Sequence, residues 1–111
     1  MKLPYEKLFL VCTDPRCTDE KLGTDNGEEI RSELKDLNKK RGRKATVRVC
    51  SVSCLDLCEH SPNMVAEPGG TVYSHLTRKK ALAIYEGEMG DGPPRPDLEL
   101  DEREFLAERK K

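Results

Sequence analysis

The sequence has no tryptophan, two phenylalanines and three tyrosines, so aromatic residues make up 5% of it. Stacking nucleobases needs aromatic faces, and the chain offers few. It also lacks an excess of either charge: 20 basic residues stand against 21 acidic ones, for a formal net charge of −1. Nucleic-acid-binding domains usually carry a basic excess. Disordered chains usually combine low hydrophobicity with a large net charge. No apolar run approaches the roughly 18 residues needed to span a bilayer. The N-terminal MKLPYEKLFLVC holds one short apolar stretch, Leu8 to Cys12, and no small-residue cleavage site, which is unlike a signal peptide. Nucleic acid and membrane are therefore not expected partners. The expected compartment is the cytoplasm, where thiols stay reduced.

What is present suits one small folded domain. The chain has 111 residues, enough for a single modest core. It is 35% hydrophobic and 37% charged, where about 25% charged is typical, so the surface is heavily solvated. Lys7 to Cys12 (KLFLVC) reads as a buried strand. A loop with Pro15 and Gly23 follows. Asp25 is the expected cap of a helix, with Glu28 as its capping-box partner. Ile30, Leu34 and Leu37 form that helix's apolar stripe, and Gly42 its stop. Ala45 to Val52 reads as a second strand, parallel to the first by the usual right-handed crossover. Met64 to Glu67 and Thr71 to Leu76 are two further strands around the turn Pro68-Gly69-Gly70. Thr77 caps a second helix striped by Leu82, Tyr85 and Met89. Arg78, Lys79 and Lys80 oppose the dipole of its first turn, which marks them as a candidate patch. The fold class is α/β: a four-stranded mixed sheet in the order β-α-β-β-β-α with helices packed on it. Residues 1–90 form the domain, and residues 91–111 a Pro-rich linker and charged C-terminal tail.

The chemistry lies in the cysteines. Four of the five form two close pairs, Cys12 with Cys17 and Cys54 with Cys58, each in a loop that follows an expected strand. Parallel neighbouring strands release both loops at one sheet edge, which gathers four thiols as a four-thiolate metal site requires. Iron–sulfur and zinc both take such a set. Packing as small hydrophobes would not explain two pairs at matched strand ends. No Cys-x-x-Cys is present, so thiol–disulfide catalysis is not expected. Cys50, inside the second strand, reads as a packed residue, with a spare ligand as the alternative. His60 and His75 invite a Rieske-type site, which four thiols make unnecessary.

The segments FLVCTDPRC, CLDLCEHSP and MVAEPGGTVYSHLT resemble the thioredoxin-like 2Fe–2S ferredoxins, a family that includes the small iron–sulfur subunit of respiratory complex I and related hydrogenases. The resemblance spans about residues 5 to 90. It implies a thioredoxin-like fold and one 2Fe–2S cluster per chain held by Cys12, Cys17, Cys54 and Cys58. It further implies a one-electron carrier rather than an enzyme, serving redox partner proteins such as a reductase, dehydrogenase or hydrogenase. Family members include homodimers, and a small core would gain from burying one sheet edge. The alternative function is a fixed iron–sulfur or structural zinc subunit of a larger complex.

Overall fold

The structure, a computed structural model, describes residues 4–13, 26–53 and 62–109. Strand β1 runs Lys7–Cys12, helix α1 Gly27–Lys40, and strand β2 Val47–Val52. Strands β3 (Met64–Glu67) and β4 (Thr71–Tyr73) form a hairpin, and helix α2 covers Arg78–Glu88. A short 3-10 turn at Pro96–Leu98 leads to helix α3, Glu102–Arg109. The sheet order is β2-β1-β3-β4. β1 pairs with β2 in parallel, Cys12 opposite Val52, and with β3 antiparallel, Val11 opposite Met64. The expected mixed four-stranded sheet is thus the one observed.

One core forms on one face of this sheet. Phe9 and Val11 of β1, Val47 and Val49 of β2, and Met64, Ala66 and Tyr73 of the hairpin face Ile30 and Leu34 of α1 and Ala81, Ile84 and Tyr85 of α2. Strand side chains alternate between faces, so Leu8 and Leu10 point the other way. At the centre, Tyr85 is fully buried and its ring centroid lies 5.3 Å from that of Phe9. Its hydroxyl donates to Asn38 Oδ1 at 2.7 Å, and Asn38 Nδ2 donates to the Val47 carbonyl at 3.0 Å. One buried network therefore ties α2, α1 and β2 together, with its polar groups paired as burial demands. Beyond it, Arg43 clamps Asp91 through two contacts of 2.6 Å. A guanidinium on a carboxylate in that geometry is the strong form of an ion pair.

Several local expectations shift. The cap of α1 is Asn26, one residue later than expected: its side chain accepts from Glu29 N at 2.9 Å and donates to Glu29 Oε1. The charged residue expected as cap, Asp25, lies outside the described residues. Gly42 takes the left-handed conformation that ends the helix, at φ 69°. β2 starts at Val47 rather than Ala45, because the amides of Thr46 and Val47 close a turn on the Arg43 carbonyl. β4 ends at Tyr73 rather than Leu76. The Ser74 amide bonds to the Leu98 carbonyl, and His75 adopts a positive φ of 51°. In α2, Tyr85 is buried as expected, but its core partners are Ala81 and Ile84, with Leu82 and Met89 at the margin. Thr77 caps it, accepting from Lys80 N at 3.2 Å. Arg78 reaches Glu33 of α1 at 3.6 Å, so one member of the candidate basic patch links the helices. The C-terminal segment runs beside β4: Glu99 bridges Tyr73 and the Leu100 amide donates to the Val72 carbonyl.

Candidate functional site

The candidate site lies at the end of β1, and backbone pairing decides what surrounds it. Because β1 and β2 are parallel, both strands end at the same edge, β1 at Cys12 and β2 at Val52. The Thr13 amide donates to the Val52 carbonyl at 3.0 Å, and Thr13 Oγ1 to the same oxygen at 3.3 Å. On the other side, the Cys12 amide donates to the Asn63 carbonyl at 3.3 Å. Cys12 therefore sits between the last residues of β2 and the residue that precedes β3. The segment joining those two points, residues 54–61, carries Cys54 and Cys58. Its ends lie two strand spacings apart, roughly 10 Å, with Cys12 in the middle. The anchors are firm: Asn63 and Cys12 are buried, and the Leu76 amide holds the Pro62 carbonyl at 3.0 Å.

Cys12 is almost fully buried yet belongs to no part of the core cluster, consistent with its place on the sheet's other face. Its Sγ lies 4.0 Å from the Ser53 carbonyl oxygen, next to the residue that begins the second cysteine loop. Cys12 is disulfide-bonded and Cys50 is a free thiol. Cys17, Cys54 and Cys58 also lie outside the described residues, as does His60. Among the described residues no three His, Cys, Asp or Glu side chains gather as a metal site. Cys50 lies one step back along β2, opposite Leu10 and on the same face as Cys12. His75 follows the end of β4 at this same sheet edge, next to Leu76 whose amide holds Pro62, and meets Glu104 of α3, Nε2 to Oε1 at 2.8 Å.

Supporting residues also escaped the sequence reading. Gly27, the first residue of α1, is buried against the end of β1. A Cβ built there would lie 1.8 Å from the Cys12 carbonyl oxygen and 2.9 Å from its carbon. The helix start can touch the Cys12 backbone only because that position has no side chain. The dipeptide Asn26-Gly27 carried a signal, but beside a loop it reads as a turn. Asn63 was missed for another reason: its role is to close a loop, and nothing local in its sequence says so.

A comparison with solved structures decides the architecture. The wild-type thioredoxin-like [2Fe-2S] ferredoxin from Aquifex aeolicus superposes with a TM-score of 0.71 at 18% identity, over 88% of this chain and 99% of that one. A cysteine-to-serine variant of that ferredoxin gives 0.70 at 17%, over 86% and 99%. The fold is that of the thioredoxin-like ferredoxins. The expected resemblance therefore holds at the level of architecture across most of the chain. No protein-family model and no curated protein matches the sequence. Among the described residues no helix is long and apolar enough to cross a membrane.

Proposed function

We propose that this protein is a one-electron carrier that holds one 2Fe–2S cluster through Cys12, Cys17, Cys54 and Cys58. The observation that carries the reading is the position of Cys12 between the two anchored ends of the segment bearing Cys54 and Cys58. The donor set fits: the four residues are thiols, and the described one is buried. Such burial suits a thiolate neutralised by metal.

When bound, a four-thiolate cluster supplies reversible one-electron chemistry with no open coordination position. The chain is then an electron-transfer protein rather than an enzyme, and its partners are redox proteins. The residues around Cys12 hold the site rather than tune it. The amides of Cys12 and Thr13 are spent on the sheet, so neither donates to a cluster sulfur. Asn63 and Val52 fix the strand end from both sides. Gly27 lets α1 brace the same backbone from below the sheet edge.

The test is the visible spectrum of freshly purified, reduced protein together with an iron and zinc count. Two irons per chain and a coloured, reducible protein are expected. Replacing any of the four cysteines with Ala should lose or destabilise the cluster, whereas Cys50→Ser should retain it. A colourless, redox-silent protein with stoichiometric zinc overturns the reading in favour of a structural zinc module.

A further inference from the structure

β2 is an edge strand, with β1 on one side of it only. The backbone groups of successive strand residues point to alternate sides. The Thr46 and Val52 carbonyls accept from the amides of Glu6 and Thr13, so the even-numbered positions face β1. Val47 faces the open side, where the chain itself meets its groups. Its amide donates to the Arg43 carbonyl at 2.8 Å, and its carbonyl accepts from Asn38 Nδ2 at 3.0 Å. Val49 and Ser51 face the same way, and among the described residues no strand pairs with them there. A groove of about 230 Å³ lies along this side, between β2 and the second half of α1. Its buried lining is Val47, Val49 and Asn38. Its exposed lining is Lys35, Lys39, Lys44 and Arg48 against a single carboxylate, Asp36. Lys35 and Lys39 stand four residues apart on α1, where like charges are neighbours and repel. Among the described residues none of the four cations closes an ion pair.

We propose that this groove takes an acidic, extended segment of a partner protein, added as a strand beside β2. Strand addition draws its affinity from open main-chain groups and its preference from the side chains that flank them. Val49 and Ser51 supply the open main chain. A segment laid along them passes Lys35 and Lys39 on the helix side and Arg48 on the strand itself. Its carboxylates supply the countercharge that Asp36 alone does not. Lysines beside an edge strand also guard it against pairing with other chains. A neutral or basic segment is turned away by that guard, and an acidic one is drawn in by it. The location gives the contact its use. Cys12 lies opposite Val52, about 10 Å along the strand from Val49 and away from the groove. The partner is therefore held without covering the Cys12 end. The contact is far smaller than a standard interface, so its dissociation constant is set on the order of 100 μM.

The probe is a fluorescein-labelled peptide of about eight residues alternating glutamate and valine, titrated with the full chain at about 50 mM salt and read by anisotropy. The wild-type protein should bind it with the affinity given above. The double variant Lys35→Glu with Lys39→Glu should weaken binding at least about tenfold. The control is Lys79→Glu with Lys80→Glu, which makes the same change of net charge at the start of α2 and should stay within about twofold of wild type. All four positions are exposed, so folding is spared. A peptide of the same sequence with every backbone amide methylated keeps its charges and should lose binding, because it cannot pair with an edge. Absence of binding up to about 1 mM chain overturns the inference. Equal losses in the two double variants overturn it in favour of a diffuse charge effect. Undiminished binding of the methylated peptide, or displacement by inorganic phosphate at constant ionic strength, overturns it in favour of a simple anion site. Self-association of the chain alone that Lys35→Glu with Lys39→Glu abolishes overturns it in favour of a second copy. The outcome is independent of whether the protein binds iron.

Discussion

Gly27→Ala adds one methyl group where α1 meets the end of β1. The new carbon would stand 1.8 Å from the Cys12 carbonyl oxygen, 2.9 Å from its carbon and 3.3 Å from Thr13 Cα. All three are backbone atoms, so no side chain can rotate away. Either the first turn of α1 or the strand end must move by about 1 Å, against close packing that resists it. Overpacking of this kind costs about 1–3 kcal/mol. Ala normally gains up to about 1 kcal/mol over Gly within a helix, less at its first position. The net loss is set at about 2 kcal/mol, equivalent to a fall in melting temperature on the order of 10 °C for a domain of this size. Urea denaturation followed by far-ultraviolet circular dichroism measures it. Ser32→Ala, on the exposed face of the same helix, is the control and should be neutral or slightly stabilising. Equal stability of Gly27→Ala and wild type would refute the claim that α1 rests on the Cys12 backbone. A gain matching helix propensity would refute it more strongly.

Two further outcomes follow from buried polar groups. Tyr85→Phe removes the donor to Asn38 Oδ1 while keeping the ring, and should cost about 1–3 kcal/mol by leaving a buried acceptor unsatisfied; an unchanged urea midpoint would count against the network. Burial alone would raise the Glu88 carboxyl, but hydrogen bonds from Lys7 and Tyr73 and the Lys7 charge hold it below its ordinary value of 4.5. Its contribution is therefore present above about pH 4.5 and lost as pH falls through the lowered folded value. Denaturation midpoints should drop more steeply on acidification in wild type than in Glu88→Gln, and parallel curves would refute the assignment.

Most of the fold was legible because each element's information is local. Lys7 to Cys12 is a run rich in β-favouring side chains and Met64 to Glu67 is marked by the Pro68-Gly69-Gly70 turn that follows it, and both match their observed boundaries. Ile30 and Leu34 recur at helical spacing, and a helix between two strands implies parallel pairing. From that pairing alone came the expectation that both cysteine loops leave one sheet edge. The ends of elements were less legible, because non-local partners set them. β4 stops at Tyr73 since Leu98, far along the chain, takes the Ser74 amide. The start of α1 depends on which of two adjacent residues, Asp25 or Asn26, turns its side chain onto the helix amides, and both types cap well.

The sequence by itself determined the candidate ligands and the chemistry they can support, because ligand type and spacing are covalent facts. It also determined the strand and helix order, through periodicities that each segment carries within itself. Only the tertiary structure decided that Cys12 lies between the residues bounding the other cysteine pair, since that requires β1 to occupy the middle of the order β2-β1-β3. Only it revealed Gly27 as a contact point, because a missing side chain has meaning when something else occupies its space. And only it gathered Lys35, Lys39, Lys44 and Arg48 about one groove, since the flank of a helix and the open side of a strand become neighbours only when the helix packs on the sheet.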